Sequence, residues 1–152
     1  MSIKPITKHM RLIALFLVIA FMIPVSAQAA VIDVAEPRAS NYLDSFNTYI
    51  CAMGSGKLQI WYTVVGDTDM DEIGVTSIRL YESTDNVNWT RVKTYSHENY
   101  SSMLAEDDWI HSSYVSYNGV AGRYYKAYVC IWAGKNGSGD TRYMWTPVER
   151  AT

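Results

Sequence analysis

Few residues of this chain have the type and spacing to do chemistry. Apart from His9, the histidines are His97 and His111. Neither stands in a motif that would supply a nucleophile and an orienting acid, as acyl transfer requires. Each reads as a solvated or hydrogen-bonded strand histidine, so no enzymatic activity is expected. The sharpest polar feature is Asp67-Thr68-Asp69-Met70-Asp71-Glu72. Alternating carboxylates of this kind offer hard oxygen ligands to Ca²⁺. An EF-hand loop, however, needs Gly at its sixth position and Glu at its twelfth, and here these are Glu72 and Ile78. Asp67, Asp69, Asp71 and Glu72 are therefore the best available metal ligands in a segment that reads as a solvated loop. No metal and no cofactor is expected.

The two cysteines, Cys51 and Cys130, form an even set in the part of the chain expected to be exported. An oxidising compartment favours a disulfide between them. It would close a loop of about 80 residues, worth about 4 kcal/mol in the chain-entropy model.

The aromatic load is heavier than the polar one: five Trp and twelve Tyr, all outside the apolar leader. Rings in excess of what a small core encloses are available for binding surfaces, because an aromatic side chain buries much area at little entropic cost. The alternative is cross-strand pairing that stabilises a sheet. Trp61, Arg79, Tyr81, Tyr128 and Trp132 are the candidates for outward positions, and the alternation of the strands explains why.

Short alternating segments with turn residues between them run from Asn47 onward, and no amphipathic run of helical length appears. Asn41 to Phe46 could make at most one helical turn. Lys57 to Val65 is the clearest strand, with Leu58, Ile60, Tyr62 and Val64 on one face and Trp61 on the other. Val75 to Ser83 places Ile78 and Leu80 inward, leaving Arg79 and Tyr81 outward. Further strands are expected over Asn47–Met53, Trp89–Ser96, Trp109–Tyr117, Arg123–Ala133 and Arg142–Val148, with Gly66 to Gly74 as an acidic loop. Seven strands in about 120 residues fit an all-β antiparallel sandwich.

The beginning of the chain has a different character. Lys4, Lys8 and Arg11 precede an apolar run from Leu12 to Ile23, and Pro24 breaks it. Ala27 and Ala29 place small residues at a cleavage site, which completes the order of a secretory signal peptide. Residues 1–29 are thus expected to be removed, 30–40 to form an extended leader and 41–152 to fold. The apolar run is too short to span a hydrocarbon core, so no membrane span is expected after cleavage. Of 13 basic residues three leave with the leader, and ten remain against 15 acidic ones, a net charge near −5. With no basic run to meet a phosphate backbone, nucleic acid is not an expected partner.

One stretch carries a resemblance. Tyr117-Asn118-Gly119-Val120-Ala121-Gly122-Arg123-Tyr124-Tyr125-Lys126-Ala127-Tyr128-Val129 is similar to the corner of fibronectin type III and related immunoglobulin-like domains. There a Gly three residues before a Tyr opens the sixth strand, as Gly122 and Tyr125 do here. Ser83-Thr84-Asp85-Asn86-Val87-Asn88-Trp89-Thr90 is similar to the third hairpin of many bacterial members. The chain after its leader resembles small secreted bacterial proteins of this kind. The resemblance implies a fold and an extracellular address, not an activity; the partner is left open, with a cell-surface glycan or protein as the class considered. If Tyr125 is inward, Tyr128 and Trp132 are outward, and so is Cys130. Either a β-bulge shifts the phase before Cys130, or the disulfide ties the first strand to a sheet surface or edge. The expected function is that of a secreted, non-enzymatic binding or cell-surface domain, with a carbohydrate-binding module as the alternative and a small secreted enzyme after it.

Overall fold

A computed structural model describes residues 40–152, so the expected signal peptide and all but the last residue of the expected leader lie outside the described residues. The chain is all-β: β1 (Leu43–Gly54), β2 (Lys57–Ser83), β3 (Thr90–Ser96), β4 (Leu104–Asn118), β5 (Tyr124–Lys135), β6 (Ser138–Trp145) and β7 (Glu149–Arg150). One 3-10 turn, Ser101–Met103, precedes β4. The strands form one antiparallel seven-stranded sheet, curled into a half-barrel.

β2 organises everything else. Its first part, residues 57–66, runs between β1 and β4. Its last part, residues 77–82, runs between β3 and β5, and β6 lies beyond β5. Between them, Glu72, Ile73 and Gly74 pair with β4 on one side and β5 on the other. The acidic stretch expected as a loop is therefore strand, a correction with a clear cause. Met70 and Ile73 are buried at 1% and 0% exposure, which holds the segment against the core while the carboxylates face water. The register breaks between Val65 and Met70, so only a short kink interrupts the ladder. Asn41 to Phe46 is not a helical turn: Asn41 and Tyr42 form a bend and β1 begins at Leu43, which is buried, with Phe46 packed against the core.

The core occupies the concave face. Leu58, Ile60, Tyr62 and Val64 come from one part of β2, and Ile73, Val75, Ile78 and Leu80 from the other. Tyr125, Ala127, Val129, Ile131 and Ala133 of β5 are all fully buried, an unbroken period of two. The corner before β5 is fixed by the Tyr125 hydroxyl, which accepts a hydrogen bond from the Val120 N–H at 2.8 Å and donates to the Glu82 carboxylate. Arg123 pairs with the same carboxylate. Burial, and then the bond to Glu82, push the Tyr125 phenol up to about 12, so it remains a donor.

The unbroken phase of β5 decides the cysteine question. Cys130 faces outward between Ser77 and Tyr143, with no bulge before it in the β5–β6 ladder. Cys51 faces outward beside Gln59, because its neighbour Ile50 is inward. The expected disulfide is absent and both thiols are free. The physical reason is placement: Cys51 lies on β1 opposite Gln59 and Cys130 on β5 between Ser77 and Tyr143, on strands that do not pair with each other. Native alkylation followed by mass spectrometry should add two labels per chain without prior reduction. A chain that takes no label until reduced would contradict this placement.

Candidate functional site

With the inner positions of β5 filled by core residues, Lys126, Tyr128, Cys130 and Trp132 project to the convex side. The register then sets their neighbours. Arg79 of β2 lies opposite Tyr128, which lies opposite Trp145 of β6. Tyr81 lies opposite Lys126, and Cys130 opposite Tyr143. Three strands therefore contribute to one patch.

Its rings touch. The Tyr128 centroid is 4.8 Å from Trp145 and 5.7 Å from Tyr143, the latter stacked with planes 10° apart. Tyr81 lies 5.2 Å from Trp145. The Lys126 ammonium sits between two indoles, 4.2 Å from the Trp89 centroid and 4.7 Å from that of Trp145. Such contacts contribute roughly 0.5–1.5 kcal/mol per aromatic pair and about 0.5–1 for an exposed cation–π contact. They also fix the rings in one arrangement. Tyr143 at 58% and Trp145 at 46% exposure nevertheless keep large apolar areas in water. A hydrogen bond with the Cys130 thiol raises the Tyr143 phenol above its ordinary value, which keeps that hydroxyl protonated.

Of the five residues expected to bind, the structure brings together Arg79, Tyr81 and Tyr128. Trp132 is outward, but its ring folds away over Gly134 and Gly139. A Cβ built on those glycines would meet the indole at 2.6 and 2.3 Å. Trp61 belongs to another patch, with Tyr114 at 4.6 Å and Tyr49 at 6.5 Å on the convex side of β1, β2 and β4. Trp89, Lys126, Tyr143 and Trp145 were not singled out from sequence. The outward phase of Lys126 was legible there, but the register that sets Trp145 beside Tyr128 was not.

Of the remaining polar candidates, Asp67 and Asp69 are exposed at the kink of β2. The Asp71 carboxylate accepts a hydrogen bond from the Asn136 N–H at 2.6 Å, pinning the β5–β6 turn, and Glu72 lies opposite Glu106. Among the described residues no three His, Cys, Asp or Glu side chains converge as a metal site would require. His97 and His111 each have a backbone carbonyl within reach of a ring nitrogen, those of Thr76 at 3.2 Å and Ser102 at 2.9 Å. In the β2–β3 turn, the Asp85 carboxylate accepts from the Val87 and Asn88 N–H groups at 2.9 and 2.8 Å. Those bonds hold its pKa well below the usual carboxylate range, and the group's role is to shape the turn.

No family model matches the chain, and no curated protein matches it. Among solved structures, a family 76 glycoside hydrolase from a bovine Bacteroides thetaiotaomicron strain is similar over 70% of this chain, at 12% identity and a TM-score of 0.30. The chain spans 20% of that enzyme's length. A likeness so low carries no argument about fold or activity.

Proposed function

We propose that the chain is an exported, non-catalytic binding domain with immunoglobulin-like connectivity, which engages a protein partner through the convex face of β2, β5 and β6. The observation that carries this reading is the contiguous patch of Tyr81, Tyr128, Tyr143 and Trp145 beside Arg79 and Lys126. Tyr, Trp and Arg dominate the energetics of protein interfaces, and a rigid, prearranged set loses little entropy on docking. A convex face of this kind suits a broad partner surface better than a small ligand, which prefers a concavity.

The fold reading is supported by the strand order. If β2 is taken as two strands joined by the kink at residues 67–69, the orders become β1–β2–β4 and β3–β2–β5–β6. That is the division of strands in a fibronectin type III-like sandwich. The Tyr125 corner fits the same pattern. Export rests on the basic, apolar and small-residue order of the leader.

The test uses a photo-reactive phenylalanine analogue in place of Tyr143, and separately of Thr63 on the convex face of the other half. Irradiation of producing cultures should yield a discrete cross-linked species from position 143 only. In addition, Tyr143→Ala should weaken capture of that species by about tenfold or more. Its melting temperature should fall by only a few degrees. Equal cross-linking from both positions, or none from 143, would refute the assignment.

A further inference from the structure

β3 and β4 both leave β2 on the same side, but they pair with different parts of it, residues 77–82 and 57–74. Where they separate, the sheet opens into a groove of about 510 Å³. It lies apart from the convex patch and shares no lining residue with it. Its lining includes Tyr95, Tyr100, Tyr114 and Tyr117, with Lys93 and Asn118 among the polar groups. Tyr95 is 2% exposed, and its hydroxyl donates to the Ser116 carbonyl at 2.8 Å, bridging β3 to β4. Tyr100 stands edge-on to the Tyr95 ring with centroids 5.1 Å apart. Burial pushes the Tyr95 phenol up to about 12, so this bridge holds across the whole ordinary pH range.

The lining restricts the occupant. It contains no carboxylate to hold a metal cation, and Lys93, its one charged side chain, already places an ammonium 5.6 Å from the Tyr95 centroid, which disfavours a second cation there. The net charge near −5 that remains after loss of the leader disfavours long-range capture of a polyanion. A peptide adding as a strand would need the free backbone groups of the β4 edge. The Ser116 carbonyl on that edge is already taken by Tyr95. The remaining combination is aromatic faces beside hydroxyl, amide and ammonium groups within a volume typical of ligand sites, about 300–1,000 Å³. It matches a molecule with apolar C–H faces and a rim of neutral hydroxyls.

We infer that the groove between β3 and β4 binds a neutral oligosaccharide, with the exposed rings of Tyr100 and Tyr114 contacting the sugar faces and Lys93 and Asn118 hydrogen-bonding to its hydroxyls. This site is independent of the convex patch, and the failure of one leaves the other standing.

The probes are soluble neutral oligosaccharides, namely cellohexaose, xylohexaose, mannohexaose, maltohexaose and chitohexaose, titrated into the ¹⁵N-labelled protein. At least one should shift the amides of β3, residues 100–102 and residues 114–118, with Kd at or below about 1 mM. Tyr100→Ala should weaken that binding by about tenfold. Its backbone bonds to Ser96 and Met103 do not involve the ring, so the fold should persist. Lys93→Ala, at an exposed position, is the second variant and should weaken binding severalfold with an unchanged melting temperature. The inference fails if no probe shifts these amides at about ten times that concentration. It also fails if shifts fall on Tyr143 and Trp145 instead. Binding of an unfolded polypeptide such as casein at these amides, with no sugar binding, would overturn it in favour of strand addition.

Discussion

Replacing Gly74 by alanine should destabilise the protein by about 4 kcal/mol, enough to leave a substantial unfolded fraction in a domain of ordinary stability. Gly74 has φ +144°, a backbone conformation in which a side chain is strained. A Cβ there would also lie 2.3 Å from the Met103 carbonyl oxygen and 2.9 Å from the His111 ring. The carbonyl is backbone and cannot swing aside. Strain of about 1–3 kcal/mol therefore adds to overpacking of about 1–3 kcal/mol. The position matters because β2 is flanked here by Leu104 of β4 and Trp132 of β5, where it passes from one set of partners to the other. Gly137→Ala supplies the control, since it shares positive φ (+75°) but has nothing within 4 Å of its Cβ. Denaturant unfolding should show the first variant losing several times more than the second. Equal losses would mean that the close approach at Gly74 is not what seats β4 against β2.

The same crossing marks the limit of what the sequence discloses about the fold. Strand faces were legible wherever alternation was regular. Leu58, Ile60, Tyr62 and Val64 are all buried, as are Ile78 and Leu80. The passage between those runs was not legible, because its buried positions, Gly66, Met70, Ile73 and Gly74, follow no period of two. Two glycines and four acids there are ordinary loop signals. What overrides them is long-range: pairing on both sides at Glu72 to Gly74 cannot be inferred from local composition. The aromatic patch on the convex face was half legible for a related reason. Phase along one strand gives the outward residues, so Arg79, Tyr81 and Tyr128 could be grouped. Register between strands gives their neighbours, and β6 had none assigned. Trp145 and Tyr143 therefore entered only with the three-dimensional ladder. The cysteines show the reverse case. The phase of β5 left Cys130 either outward or flipped by a bulge, and the β5–β6 ladder places it outward, whereas the compartment argument for a disulfide took no account of where the two strands lie.

Trp132→Ala should cost about 3 kcal/mol of stability, a size usually associated with core truncation, although Trp132 faces outward. An outward position and a large structural contribution are compatible here. The indole lies against the backbone of Gly134 and Gly139, where neighbouring strands have no side chains of their own, so it covers a bare patch of sheet. Its Nε1 is buried without a hydrogen-bond partner, a further sign that packing fixes the ring. The contact can be isolated by a double-mutant cycle. A Cβ at Gly134 would meet the Trp132 ring at 2.6 and 3.0 Å, while its next neighbour, the Ser138 carbonyl, is at 3.2 Å. Gly134→Ala should therefore destabilise the wild type by about 1–3 kcal/mol through overpacking. In the Trp132→Ala background, where the ring is gone, the same change should cost much less. Coupling of about 1 kcal/mol or more would place the ring on the glycine floor. Additive losses would show that it does not rest there. Cross-linking from position 143 should survive Trp132→Ala under conditions where the variant is folded, because the indole contacts none of the rings around Tyr128. Its loss alongside full folding would instead return Trp132 to the binding face.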